Sequence, residues 1–135
     1  MTQHYEEEEI EALVKYRMQR AHETLVDADV LIQSHRYNAA INRLYYACFY
    51  AVMALLLKHR VHAQTHDGVK QMFGLHFVMT DKIDKQYSRF YGQMFNARIS
   101  GDYDDFVQYD ESTIAQYRPQ AEAFLAEIER IISEQ

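Results

Sequence analysis

With 20 carboxylates against 14 lysines and arginines, this chain of 135 residues is formally −6 at pH 7. That balance argues against a broad, sequence-independent grip on nucleic acid and leaves room only for a local basic site. The length suits one domain spanning residues 1–135, and scarce Gly (4) and Pro (1) disfavour a sheet protein built on many tight turns.

The opening segment, MTQHYEEEEIEAL, lacks the charged, apolar and small-residue regions of a secretory leader. Ile10, Leu13, Val14, Met18, Ala21, Leu25, Ala28 and Ile32 then recur at spacings of three and four, which predicts a long first helix. The run Glu6 to Glu9 lies at its start, where carboxylates suit the positive end of the helix dipole. Asn38 is the expected N-cap of a second helix through NAAINRLYYACFYAVMALLLKHR. Two apolar stripes run along it: Ile41, Leu44, Tyr45, Cys48, Val52 and Leu55 on one side, and Tyr46, Phe49, Tyr50, Met53 and Leu57 on another. A helix apolar nearly all round needs cover on most sides, and a second copy of the chain is the expected source of part of it. The apolar stretch YYACFYAVMALLL is shorter than a bilayer span, so a cytoplasmic protein outside the membrane is expected.

Thr65 is the expected cap of a short third helix through Phe73 and Val78. A fourth helix carries Ile83, Tyr87, Phe90, Tyr91, Met94 and Phe95, and its apolar face continues onto Arg98. Gly101 is the expected C-terminal cap. A last helix carries Ala121, Phe124, Leu125, Ile128, Ile131 and Ile132, with Pro119 either opening it or interrupting a longer helix from near Asp110. The fold class is therefore all-α, an up-and-down bundle of about five helices.

Several chemistries are weaker than their plainer readings. His59, His62, His66 and His76 straddle a helix break without thiolates or a His-Glu-x-x-His pattern, so capping and surface roles outweigh zinc. A calcium loop starting at Asp102 would need Gly at 107 and Glu at 113, where Val107 and Thr113 stand. Cys48 sits in an apolar helix and reads as core, not nucleophile. No phosphate-cradling glycine loop occurs, and neither metal nor cofactor is expected.

Taken together, NAAINRLYYACFYAVMALLL, THDGV and MFNARISGDYDD resemble the HEPN superfamily over nearly the whole chain. The likeness is greatest to a small prokaryotic branch with an Arg-x-Tyr-Tyr-Ala stretch, here Arg43, Tyr45, Tyr46 and Ala47. The resemblance implies a helical, homodimeric domain tied to RNA or nucleotide biology. It also implies a possible partnership with a minimal nucleotidyltransferase in a toxin–antitoxin-like pair. HEPN ribonucleases carry an arginine, four to six residues and then a histidine; Arg98 matches the arginine. Tyr103, Asp104 and Asp105 occupy the positions where the histidine belongs, and no histidine follows His76.

The expectation is thus a catalytically degenerate module. Asn96, Arg98, Asp102 and Tyr103 are the leading candidates for an RNA or nucleotide site, with Arg43 and His66 as further candidates. The alternative is an active ribonuclease whose base is Tyr103, an aspartate, or a His66 brought beside Arg98 by folding. Tyr103 is also a candidate for AMP transfer, since partner nucleotidyltransferases in such pairs can modify a tyrosine beside this motif.

Overall fold

A computed structural model describes residues 6–134, and every described element is helical. Residues 1–5 and 135, at the ends of the expected domain, lie outside it. In chain order the elements are α1 (Glu7–Gln33), α2 (Tyr37–Lys58), α3 (His66–Phe73), a π-helical turn (Gly74–Val78), α4 (Lys85–Tyr103) and α5 (Glu111–Ser133).

The apolar α2 is the axis of the bundle. Its first stripe, from Ile41 through Tyr45 and Cys48 to Leu55, is wholly buried, because α1, α4 and α5 all pack on this helix. By length and composition alone α2 could cross a membrane, but 61% of that window is buried inside the bundle. The second stripe, Tyr46, Phe49, Tyr50, Met53 and Leu57, is only partly covered. The α1 stripe (Ile10, Val14, Met18, Ala21, Leu25, Ala28) and the α5 stripe (Ala121, Phe124, Leu125, Ile128, Ile131) are buried as their periodicity requires.

Two expected caps take other roles. Arg36, not Asn38, is the residue before the first turn of α2, and Arg36 makes no side-chain cap bond. Asn38 instead reaches across to the segment after α4: its Nδ2 donates to the carbonyls of Gly101 (3.3 Å) and Val107 (2.9 Å), and its Oδ1 accepts from Tyr109 N (2.8 Å). The chain leaving α4 is pinned to the first turn of α2 by this one amide. Asn38→Ala should leave three polar groups of that segment without these partners and cost about 1–3 kcal/mol. Chemical denaturation checks this, together with faster amide exchange at Tyr109.

Gly101 does not end α4, which continues to Tyr103. Its small size has a different cause: a Cβ there would lie 2.9 Å from Tyr109 Cε2. The Tyr109 ring packs against bare backbone while its hydroxyl donates to Ala97 O at 2.8 Å.

Elsewhere the caps fall as expected or nearly so. Thr65 Oγ1 accepts from Gly68 N at 2.9 Å at the start of α3, which gives way to the π turn after Phe73. Ile83 precedes α4, whose cap is Asp84. Asp110 caps α5 through Thr113 N, and Pro119 lies inside this longer helix.

Candidate functional site

The buried stripe of α4 (Phe90, Tyr91, Met94, Phe95) leads at helical spacing onto Arg98, so the helix itself carries a guanidinium into the interior. Arg98 is only 9% exposed, and its Nε is buried without a hydrogen-bond partner. Arginine does not discharge in proteins, so the positive charge remains. No ion pair to it forms among the described residues; those present involve His22, Arg60, Arg118 and Arg130. Its neighbours are rings: Arg98 Cζ lies 4.9 Å from the Tyr45 centroid and 5.9 Å from that of Tyr46. Cation–π attraction offsets part of the desolvation. An unpaired buried cation remains costly, and that cost marks a place suited to an anion.

His66 occupies the first position of α3, directly after the Thr65 cap. Its Nδ1 is 2.8 Å from the Tyr45 hydroxyl, and its ring lies 4.5 Å from Phe49 and 5.6 Å from Tyr46, centroid to centroid. Arg98 and His66 therefore touch the same two tyrosines. The proximity is electrostatic as well. Partial burial lowers the His66 pKa from its ordinary 6.5, the Arg98 charge lowers it further, and Asp67 pulls weakly the other way. A neutral imidazole at pH 7 follows. Burial pushes Tyr45 up to about 12, so its hydroxyl stays protonated. Nε2 of His66 makes no hydrogen bond within the described chain.

Arg43 also lies against Tyr46, its Cζ 4.8 Å from the ring centroid. Its Nε and Nη2 donate to Asn42 Oδ1 (3.0 and 2.7 Å), and Asn42 Nδ2 donates to Asp102 Oδ2 (2.9 Å). A neutral amide thus links Arg43 to the end of α4 without neutralising it.

Of the sequence-derived candidates, Arg98, His66 and Arg43 converge on Tyr45 and Tyr46, and Asp102 joins through Asn42. Asn96 and Tyr103 do not. Asn96, two residues before Arg98, falls on another face of α4 and is exposed; Tyr103 is 76% exposed. The other histidines are scattered: His59 meets Leu55 O and the Phe77 ring, and His62 meets Gln64. Arg60, which shares a motif-like spacing with His66, turns away to Glu7.

The class defined by this arrangement is a small helical bundle with an arginine and a histidine set against an aromatic floor. A model of the HEPN domain matches residues 14–134, and the chain belongs to the HEPN family. A UPF0332 protein of Thermotoga maritima is similar at 40% identity over 126 residues, covering 93% of this chain and 96% of its own length. A Methanocaldococcus jannaschii protein named as a candidate toxin is 35% identical over 128 residues, covering 94% of this chain and 91% of its own. A UPF0332 protein of Pyrococcus horikoshii is 36% identical over 83 residues, or 62% of this chain and 56% of that one.

Proposed function

We propose that this chain is a toxin-type HEPN module that binds RNA at Arg98 and cleaves it with His66 as base. The observation that carries this reading is that Arg98 and His66 both lie against Tyr45 and Tyr46, with the Arg98 charge acting on the His66 ring. The degenerate-module expectation rested on the histidine missing after Arg98; His66 supplies an imidazole from α3 instead.

With the Nδ1 proton donated to the Tyr45 oxygen, Nε2 presents its lone pair to a ribose 2′-hydroxyl. The 2′-oxygen loses its proton to Nε2 and bonds to the adjacent phosphorus. The bond from phosphorus to the 5′-oxygen breaks, and that oxygen takes a proton from solvent or the imidazolium. The products are a 2′,3′-cyclic phosphate and a free 5′-hydroxyl. Arg98 holds the phosphate oxygens and steadies their growing charge. Cleavage assays with single substitutions at Arg98 and His66 test the assignment.

The half-covered α2 stripe supports a homodimer, since Met53 and Leu57, on the stretch of the stripe beyond Tyr50, keep apolar area for a second copy. Light scattering checks the mass. A minimal nucleotidyltransferase as partner, a cytoplasmic location and AMP transfer to Tyr103 belong to the same reading. The 76% exposure of Tyr103 supports the last of these. Incubation with such a nucleotidyltransferase and ATP should add one AMP to the intact mass, and Tyr103→Phe should abolish the gain.

A further inference from the structure

The anion site does not stop at Arg98 and Arg43. Lys70, one helical turn after His66, places its Nζ 4.9 Å from the Phe95 ring centroid. Arg20, on α1, places its Cζ 4.3 Å from the Tyr50 ring, one turn beyond Tyr46 on α2. The rings beneath these cations are continuous: Phe95 is 6.0 Å from Tyr45, Tyr45 is 5.2 Å from Tyr46, and Tyr46 is 5.9 Å from Tyr50. Lys70, Arg98, Arg43 and Arg20 thus follow one another along a strip of aromatic side chains drawn from α2 and α4, with α3 supplying Lys70 and α1 supplying Arg20.

None of the four forms an ion pair among the described residues, although the chain carries 20 carboxylates. Away from the strip, Arg60, Arg118 and Arg130 are each paired with acidic side chains. The four strip cations thus keep their charge free of any carboxylate within ion-pair distance among the described residues. Cation–π contacts hold the heads in place without neutralising them, and the exposed Arg20 guanidinium beside Tyr50 is available to stack a base. A lone nucleotide phosphate would meet only part of this charge.

We infer that the strip is a track for single-stranded RNA, with Lys70 and Arg20 binding phosphates on either side of the one held at Arg98. This rests on the proposed RNA site and extends it to a substrate of several consecutive unpaired nucleotides. Alternating phosphates and bases fit a line of cations on aromatic supports, whereas an acidic chain lacking any broad basic face has little to offer a stiff duplex.

Fluorescence anisotropy with labelled 2′-O-methyl RNA strands of increasing length, which cannot be cut by 2′-hydroxyl attack, tests the track. Affinity should rise with length until the strip is filled. Arg20→Ala and Lys70→Ala should each reduce the slope of log K against log salt by about 0.7, the value of one single-strand phosphate contact. Arg20→Lys should keep the wild-type slope. Affinity independent of length, or slopes unchanged in both alanine variants, would overturn the inference. Loss of binding in Arg98→Met with no effect of Arg20 or Lys70 would leave the central site standing and remove only its extension.

Discussion

Arg98→Met is expected to abolish RNA cleavage while leaving the protein at least as stable as the wild type. Methionine keeps most of the buried volume on the α4 stripe and removes a charge that no carboxylate balances. Replacing buried charged groups with apolar ones of similar volume is often neutral or stabilising by about 1–4 kcal/mol. The lost attraction to Tyr45 and Tyr46 works against this gain at about 1–2 kcal/mol, so the melting temperature should hold or rise. Catalysis should fall by about 100-fold or more, the scale on which removal of one transition-state donor acts. The same change should raise the His66 pKa toward 6.5, because the Arg98 charge is one of the causes depressing it. Histidine titration by NMR reads that shift, which reports the Arg98 charge beside His66.

His66→Gln is the second large effect. Glutamine keeps polar contact with the Tyr45 hydroxyl within reach but cannot take a proton, so strand binding should persist while the cleavage rate drops by about 100- to 10,000-fold. The pH dependence follows from the direction of the shift. A base must be neutral, and the His66 pKa lies below 6.5. The wild-type rate should therefore climb with pH through a midpoint below 6.5 and level off above it. Stability runs the same way. The unfolded chain holds the His66 proton up to a higher pH than the folded one, so this contribution to stability is intact above 6.5 and lost as pH falls through the folded value. His66→Gln should remove that acid-side loss.

The helices were legible because each core stripe is a local, periodic signal. The Thr65 cap and the buried place of Arg98 followed from the same spacing. Asn38 and Gly101 were misread as caps because what they satisfy lies far along the chain: the Val107 carbonyl and Tyr109 amide for one, the Tyr109 ring for the other. No local pattern encodes such a demand.

The site divides in the same way. Arg98 stood out as a charge on an apolar face. Its partnership with His66 did not, since α3 must first fold against α2 before that ring reaches Tyr45. Lys70 and Arg20 carried no signal at all, being single cations on exposed positions of α3 and α1 whose alignment exists only once those helices pack beside the rings of α2 and α4. Asn96 and Tyr103 were chosen for closeness in sequence to Arg98, but helical geometry and an exposed helix end separate them from it.

The most direct measurement is the analysis of products from a 5′-labelled single-stranded RNA incubated at pH 7 in chelator with wild type, Arg98→Met and His66→Gln. The expected result is fragments ending in 2′,3′-cyclic phosphate with the wild type and none above background with either variant, while His66→Gln still binds the strand. Intact RNA with the wild type, or equal cleavage by all three proteins, would contradict an Arg98–His66 ribonuclease site.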